Sequence, residues 1–596
     1  MGEGEVVGRK TRDLKGNVGL VVSIIAISMS IFQIWVNSVG VIPGIYRNAI
    51  HLGFLLILCF LLYPAKRKSP LDRVGISDVI LAGLGASIAI YILLFEEELH
   101  LVRASIPITR DYIFAALAII LVLEAARRCM GPVLPIISIL FLIYAHFGPY
   151  FPGILAHKGI PWTRILYRMY LTDEGLFGIT LTVSATFIFL FILFGAFLQK
   201  SGTSEFFNSL ALACAGGRRG GPAQVAVIAS SLMGTLSGSA AANVATTGTF
   251  TIPLMKRVGF KPYFAGAVEA AASTGGMIMP PIMGAAAFIM AAFLGIPYTN
   301  IMIAAFIPAL LYYLAVAFVI DLEAKKMKLK GLPKDMLPNI KEVLKTRGQL
   351  LIPIIVVVYC LLAGKTPLFA AFMGIISTIV ISSIRKETRL GPKEILQALD
   401  VGARSAVQVG IACAICGIIV GVVNMTGLGS VIAYNIIKIS HGEIFFTLLL
   451  VMAASILLSM GLPSTALYIV VATVVAPALI ELGVLPLAAH LFVFWFGALS
   501  NVTPPVAIAS YTAAGIAGAD PAKTAWTGLR LTLAGFIIPF MFVYSPVLIL
   551  QEANLLEGLL ALGTSIIGIC ALGTVSYTHL RAHETEADLV CRLLLE

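Results

Sequence analysis

The stretch Ser237-Gly-Ser-Ala-Ala-Ala-Asn243 decides the fold, and it lies inside an apolar block at 223–293. A second block at 444–517 contains Ser459-Met-Gly-Leu-Pro-Ser-Thr465 in the equivalent place. Each block is too long for one membrane span, because about 20 apolar residues suffice to cross the hydrocarbon core. Small, polar and proline residues interrupt both blocks. Each is therefore predicted to form a re-entrant hairpin followed by a broken helix.

The two blocks form an internal repeat with an offset of 224 residues. Five prolines of the first block coincide with prolines of the second at this offset, without a gap. The pairs are Pro253 and Pro477, Pro262 and Pro486, Pro280 and Pro504, Pro281 and Pro505, and Pro297 and Pro521. Proline makes up only 29 of the 596 residues, so chance is a poor explanation for five matches.

The composition indicates a membrane protein. Of the 596 residues, 59% are hydrophobic and 12% are charged, whereas soluble domains have about 25% charged residues. The net charge of +11 comes from basic residues in short loops, a pattern that orients membrane proteins and gives no support for a nucleic-acid partner. We expect an all-α polytopic membrane protein, surrounded by lipid, with about 16 transmembrane segments.

The expected segments are full spans, two re-entrant hairpins and two broken helices. The full spans cover about 18–37, 47–64, 77–95, 111–128, 132–147, 178–199, 300–320, 349–363, 367–384, 404–426, 527–550 and 556–573. The hairpins cover 223–254 and 444–480, and the broken helices cover 262–293 and 487–516. An exposed loop is expected from about 148 to 173, and an amphipathic interfacial stretch at 392–402.

Charged loops predict the orientation. The basic residues assigned to the cytoplasm include Arg9, Lys10, Arg12, Lys15, Lys66, Arg67, Lys68 and Arg73, and the outer loop contains Glu96, Glu97 and Glu98. This asymmetry predicts a cytoplasmic N-terminus in the inner (cytoplasmic) membrane. The alternative, a cleaved signal peptide, lacks a small-residue cleavage site. The same rule has the two hairpins enter from opposite sides, an inverted repeat of the kind found in secondary transporters.

The chain divides into an N-terminal small module, 1–170, and a transport module, 171–572. The inverted repeats of the transport module cover about 200–320 and 400–550. The tail 575–596 changes character abruptly and resembles translated sequencing-adapter read-through, so it is predicted to be non-native. The alternative is an ordinary polar tail.

The interruptions of the repeats supply candidate binding atoms. Broken helices free backbone carbonyls, which together with hydroxyl and amide oxygens suit a hard cation. The hypothesised sodium ligands are Ser237, Gly238, Ser239, Asn243, Ser273, Thr274, Gly275, Gly276, Ser459, Gly461, Pro463, Ser464, Thr465, Asn501 and Thr503. The hypothesised solute contacts are Ser239, Asn243, Pro280, Pro281, Ser464, Thr465, Pro504 and Pro505. We expect one sodium site per repeat, with the solute between the two hairpin tips. Close helix packing also enriches small residues, but the inverted duplication favours a functional site.

Few ionisable groups occur in the predicted spans. Glu269 is the sole acid of the first broken helix and a candidate coupling acid, for protons or for ions. The alternative is a position near the cytoplasmic end, neutralised by Lys261. Glu124 is expected to form an interfacial ion pair with Arg127 and Arg128.

Enzymatic and ATP-driven functions find no support. Gly364-Lys-Thr366 resembles the end of a phosphate loop, but Tyr359 occupies the position of its first glycine. Cys413 and Cys416 form a lone CxxC inside an apolar helix and are expected to be core residues. Catalytic residues are therefore not expected, and neither is an organic cofactor.

Four segments carry a family resemblance. Gly234–Lys256, Glu269–Gly276, Pro280–Gly284 and Gly461–Thr465 resemble the fused permease of tripartite ATP-independent periplasmic (TRAP) transporters. The resemblance extends from about Asp111 to Leu550. The layout, a small module followed by a large one, is similar to the subgroup that works with TAXI-type solute-binding proteins.

The resemblance implies that an extracytoplasmic binding protein delivers the solute, typically a small carboxylate. It also implies uptake driven by a cation gradient, commonly sodium and otherwise protons, and an elevator movement of the large module. Ser464 stands where relatives often have threonine, and Met277 where a polar residue is frequent. The second change removes a possible polar contact.

Three other functions remain as alternatives. A stand-alone ion-coupled symporter or exchanger would share the inverted-repeat design but need no binding protein. A channel would conduct without coupling. A membrane enzyme is the most distant, since the sequence offers neither paired carboxylates nor a nucleophile with a base.

Overall fold

A computed structural model describes residues 11–66, 69–103, 105–459, 461–551 and 555–593, with side chains described up to residue 551 and over 556–575. Arg9, Lys10, Arg67, Lys68 and Met460, used in the predictions above, lie outside the described residues, as do the side chains of the tail beyond 575. The chain forms two compact units, each discontinuous in sequence. Unit 1 comprises 1–203, 285–299 and 349–483, and unit 2 comprises 204–284, 300–348 and 484–596.

Unit 1 is built from apolar helices. Its helices are α1 (Gly16–Ser38), α2 (Gly44–Leu62), α3 (Ile76–Glu97), α4 (Thr109–Met130), α5 (Val133–His146), α6 (Trp162–Tyr170), α7 (Ile179–Val183), α8 (Phe189–Lys200), α13 (Ala286–Leu294), α16 (Ile352–Leu362), α17 (Pro367–Ser382), α18 (Pro392–Thr426), α19 (Leu428–Ile439), α20 (Ile444–Ser459), α21 (Ser464–Val474) and α22 (Ala476–Glu481). Three of them, α4, α13 and α18, end directly before a glycine. The long helix α18 packs against α8, α1, α5, α21 and α2. It therefore forms the centre of this unit.

Unit 2 contains most of the two broken helices and the first hairpin. Its helices are α9 (Thr203–Ala215), α10 (Gly221–Ser237), α11 (Ala240–Arg257), α12 (Pro262–Gly275), α14 (Tyr298–Lys326), α15 (Ile340–Arg347), α23 (Pro486–Leu499), α24 (Ile508–Ala517), α25 (Pro521–Leu531), α26 (Ile538–Tyr544) and α27 (Leu555–Leu593). Helix α12 packs against α10, α11, α24 and α25. It is buried along nearly its whole length.

The helix bounds reproduce the repeat at the offset of 224 residues. Helix α12 covers 262–275 and α23 covers 486–499, so both ends of these two helices correspond. Helices α11 and α21 begin at corresponding residues, and α11 and α22 end at corresponding residues. The interruptions predicted near Ser237 and Gly461, and inside both broken helices, are present. The repeat and the interrupted architecture are thus confirmed.

The all-α polytopic class is confirmed as well. Within the described residues, eight helices are long and apolar enough to cross a membrane, or nine if the bent pair at 521–544 counts as one span. Seven further apolar helices have 10–17 residues. The expected total of about 16 segments counted full spans together with hairpin and broken-helix segments. The module boundary near residue 170 stays a prediction.

Three local predictions were wrong. The segments 392–402 and 404–426 form one helix of 35 residues, because no proline breaks the helical hydrogen bonds between them. The span at 527–550 is bent by 58° where α25 meets the turn Leu533–Phe536, near a glycine and a following proline. The loop at 148–173 contains α6, whose Ile165 and Met169 are buried. Helices α9 and α19 were not predicted.

The ion pair expected at Glu124 is confirmed. Its carboxylate lies 2.7 Å from the guanidinium groups of both Arg127 and Arg128. Arg128 also lies 2.7 Å from Asp78, which is paired at 2.5 Å with Arg12. These buried charges link the segment preceding α1 to α3 and α4.

Candidate functional site

The first hairpin turns at Gly238 and Ser239. Helix α10 ends at Ser237, Gly238 has φ +59°, and Ser239 caps α11 by accepting a hydrogen bond from the backbone N–H of Ala242. A Cβ atom on Gly238 would lie 2.5 Å from the carbonyl oxygen of Met283. Only glycine fits here, because the position combines positive φ with close contact to the broken helix.

The first broken helix approaches the hairpin backbone closely. Helix α12 ends at Gly275, the chain turns through residues 276–285, and α13 begins at Ala286. A Cβ atom on Gly276 would lie 2.5 Å from the Cα atom of Gly234. The bond between Pro280 and Pro281 is cis, as is that between Pro504 and Pro505. Hairpin and broken helix are thus in backbone contact beside the predicted ligands.

Asn243 carries a buried oxygen atom that lacks a hydrogen-bond donor. Its side chain is 1% exposed, and Nδ2 donates to the carbonyl oxygen of Ser230 at 2.8 Å. That bond identifies the other atom as Oδ1, which has no hydrogen-bond partner among the residues that the structure describes. A buried polar atom without a partner is costly. A bound cation would satisfy it.

Glu269 is buried among hydroxyl groups. Oε1 accepts hydrogen bonds from Ser230 at 2.7 Å and from Ser273 at 3.1 Å, and also from Thr247. Oε2 accepts a hydrogen bond from Thr251. Lys261 lies immediately before α12 and about two helical turns before Glu269, about 12 Å along the axis at about 1.5 Å per residue. The geometry therefore favours a hydroxyl-bound carboxylate over the alternative of neutralisation by Lys261.

The second broken helix places Asn501 against the first. Asn501 Nδ2 donates to the carbonyl oxygen of Ala498 at 3.0 Å and contacts Met277 Sδ at 3.6 Å. Met277 and Asn501 are equivalent positions of the repeat, so the two repeats meet at corresponding residues. The hydroxyl of Thr503 donates to the carbonyl oxygen of Leu499, the last residue of α23, at 2.9 Å.

The second hairpin, in unit 1, also has buried oxygens at its interruption. Helix α20 ends at Ser459, Gly461 has φ +77°, and Pro463 precedes α21. Ser459 Oγ and Thr465 Oγ1 are buried and have no hydrogen-bond partner within the described residues. Polar atoms of this kind therefore occur at both hairpins.

Unit 2 brings together most of the predicted residues. The members in unit 2 are Ser237, Gly238, Ser239, Asn243, Ser273, Thr274, Gly275, Gly276, Pro280, Pro281, Asn501, Thr503, Pro504 and Pro505. The members in unit 1 are Ser459, Gly461, Pro463, Ser464 and Thr465. The solute position between the two tips stays a prediction.

Sequence reasoning missed the hydroxyl partners of Glu269. Thr247 and Thr251 follow Asn243 at intervals of four residues, so all three share one face of α11. That spacing could have identified the two threonines. Ser230 carries no comparable signal, because it reaches Glu269 from a different helix, α10.

Comparison with known families decides the identity. The model of the family described as "Tripartite ATP-independent periplasmic transporter, DctM component" matches residues 117–555, well over half of the chain. The chain belongs to this family. The recognition of a TRAP permease is therefore confirmed, and the protein is a multi-pass membrane transporter component with a non-enzymatic role.

Several curated relatives of this TRAP permease are permeases too. The large permease protein DctM of a C4-dicarboxylate TRAP transporter from Pseudomonas aeruginosa is 25% identical over 371 residues, covering 61% of this chain and 84% of the relative. The DctM protein from Vibrio cholerae is 22% identical, covering 70% of this chain and 98% of the relative. The isethionate TRAP permease DctMQ of Oleidesulfovibrio alaskensis is 24% identical, covering 60% of this chain and 56% of the relative.

Among solved structures, the permease is similar to the YdaH transporter of Alcanivorax borkumensis. The identity is 16% and the TM-score 0.43, with coverage of 73% of this chain and 97% of that chain. TRAP permeases as a family work with an extracytoplasmic solute-binding protein.

Proposed function

We propose that this permease imports a small carboxylate, delivered by an extracytoplasmic TAXI-type binding protein and driven by a cation gradient. Sodium is the proposed coupling ion. The observation that carries the proposal is the set of buried oxygens without hydrogen-bond donors at both hairpin interruptions: Asn243 Oδ1, Ser459 Oγ and Thr465 Oγ1. Such oxygens suit a hard cation and need no buried fixed charge.

The names of the relatives support a small organic anion as the solute. Two of them are permeases of C4-dicarboxylate transporters, and a third is a permease of an isethionate transporter. The proposed solute contacts, Ser239, Asn243, Ser464 and Thr465 with the two Pro-Pro turns, offer hydroxyl and amide groups. Ser239 and Ser464 lie at the first turn of α11 and α21, where unpaired backbone N–H groups favour an anion.

The segment before the family match supports a fused small module. Residues 1–116 precede the matched region, and they contain α1, α2, α3 and the start of α4. A fused layout is what the TAXI-associated subgroup would show. The loop charges support an inner-membrane location with a cytoplasmic N-terminus, because Lys66 and Arg73 lie on the side opposite Glu96–Glu98.

Reconstitution of the purified permease into liposomes tests this function. A TAXI-type binding protein is added with each of a panel of radiolabelled carboxylates, under separate sodium and proton gradients. We expect accumulation only when both the binding protein and an inward sodium gradient are present. Uptake without the binding protein would instead establish a stand-alone symporter, and solute flux with ion conductance but no accumulation would establish a channel.

Matched variants test the cation sites. Asn243→Ala and Thr465→Val should each raise the sodium concentration required for half-maximal uptake by about tenfold or more, because each removes a proposed ligand. Thr249→Val serves as the control, since Thr249 lies on the exposed side of α11. Normal transport by both variants at limiting sodium would refute the assignment of these residues.

A further inference from the structure

The hydroxyl network around Glu269 contacts Asn243 at two points. Ser230, whose hydroxyl donates to Glu269, accepts the side-chain amide of Asn243 at its carbonyl oxygen. The hydroxyl of Thr247 lies 2.8 Å from the main-chain carbonyl oxygen of Asn243 and 2.9 Å from Ser230 Oγ, and it also contacts Glu269. The carboxylate is thus linked to both the side chain and the backbone of Asn243.

The network is closed and buried. Ser230, Thr247, Thr251, Glu269 and Ser273 are each 0% exposed. Within the described residues, Glu269 forms hydrogen bonds to these hydroxyls and no ion pair. An oxygen-oxygen distance of 2.7 Å, as between Ser230 Oγ and Glu269 Oε1, is typical of an O–H···O hydrogen bond. The carboxylate is therefore engaged by its hydroxyl partners, and the atom left free in this cluster is Asn243 Oδ1.

The second repeat lacks both the network and the asparagine. At the offset of 224 residues, the equivalents of Thr247, Thr251, Glu269 and Ser273 are Val471, Val475, Val493 and Gly497. The equivalent of Asn243 is Leu467. Helices α12 and α23 coincide at this offset, so a helix with the same bounds forms without Glu269 and Ser273. The first repeat has the acid, its threonine partners and the asparagine, and the second repeat lacks all of them. This joint presence and absence supports a shared role for Glu269 and Asn243.

The geometry points to Glu269 as a positioning residue that acts through Ser230 and Thr247 to orient Asn243 Oδ1 toward the coupling cation. This inference rests on the proposed function, in which Asn243 binds that cation. Glu269 is not itself a ligand in this scheme. Glu269 holds the hydroxyl groups of Ser230 and Thr247 in place, and these two residues in turn orient Asn243. Outer groups orient the ligands of other metal sites in the same way.

Sodium-specific stabilisation of the purified permease tests the inference without a solute. Thermal unfolding in detergent is followed in sodium chloride and in choline chloride at equal ionic strength, and the sodium midpoint is taken from the concentration dependence of Tm. Glu269→Gln should raise that midpoint by about tenfold, a typical effect of changing an outer group. Thr247→Val should act similarly, Thr247→Ser should retain the wild-type midpoint, and Thr249→Val is the surface control.

A double variant separates positioning from general stability. In an Asn243→Ala background, Glu269→Gln should cause no further change in the sodium response, because its route to the ion is already lost. Equal Tm losses in both salts with an unchanged sodium midpoint would overturn the positioning role. If Asn243→Ala itself leaves the sodium response intact, the proposed cation site is wrong. A normal midpoint for Glu269→Gln beside a defective Asn243→Ala would refute only the role of Glu269.

Discussion

The broken helices of the two repeats begin with matching helices that carry different residues. Helices α12 and α23 begin and end at equivalent residues. Helix α12 presents Glu269 and Ser273 to a hydroxyl network, whereas Val493 and Gly497 occupy the same places in α23. The first hairpin packs with α12 in unit 2, while the second hairpin belongs to unit 1 and α23 and α24 belong to unit 2. One architecture therefore supports two chemically different environments.

Comparison of α12 with α23 shows that the fold does not require the buried acid Glu269. A hydrophobic face is sufficient for α23, so the buried acid of α12 is not needed to form a helix of this length at this place. Burying a carboxylate in a membrane protein is costly and usually marks a function. The repeat thus provides an internal control for each proposed functional residue.

The largest expected effect comes from exchanging a glycine between the repeats. Gly276 contacts Gly234 through the backbone, and its equivalent in the second repeat is Ser500. Gly276→Ser should destabilise the permease by about 3 kcal/mol or more, because overpacking here forces two backbones apart. The reverse change, Ser500→Gly, removes only a hydroxyl that bonds within its own helix. Unfolding midpoints in detergent compare the two; equal losses would show that the close approach is unimportant.

The sequence predicted these features to different degrees. The period of the prolines fixed the repeat, and the glycines and polar residues at 237–243 and 461–465 located the hairpin turns. Both signals are local, since proline and glycine restrict or free the backbone wherever they occur. The bend between α25 and α26 was missed because an apolar run looks continuous when only its hydropathy is considered.

The candidate site was predicted only in part, because the sequence shows which residues are unusual but not how helices pack. Asn243 and Glu269 were identified as unusual polar residues in apolar surroundings. Their link through Ser230 and Thr247 depends on how α10, α11 and α12 pack, and a threonine in a helix normally bonds its own backbone. The division of the hairpins between two units is a property of long-range contacts, which the spacing of residues does not encode.

A middle-sized effect is expected from converting the first repeat toward the second. The variant Thr247→Val with Thr251→Val keeps the buried acid and removes two of its donors. The expected cost is about 3 kcal/mol, the lower end for two hydrogen bonds to a charged group at about 1.5–3 kcal/mol each. Adding Glu269→Val should restore much of that loss, because replacing a whole buried polar network by apolar groups is often neutral. The sodium midpoint should be raised about tenfold in both.

Thermal unfolding in choline and sodium salts measures both effects in this series. A triple variant less stable than the double variant would show that the acid stabilises the fold by itself. In that case the network would serve the stability of the fold. Its absence from the second repeat, where Val471, Val475 and Val493 stand instead, would then be no evidence for a role in cation binding.

The smallest effect is expected at the residues where the repeats meet. Met277 Sδ contacts Asn501 Nδ2 at 3.6 Å, and a thioether sulfur is a weak acceptor. Met277→Leu should therefore cost less than about 1.5 kcal/mol, as other volume-conserving core changes do. Met277→Gln offers an amide oxygen to the same nitrogen and should be more stable than Met277→Leu by about 1 kcal/mol. Repeating both changes in an Asn501→Leu background should abolish that difference. If Met277→Gln is still more stable than Met277→Leu when Asn501 is leucine, the glutamine acts through another partner. The contact between positions 277 and 501 would then not contribute to stability.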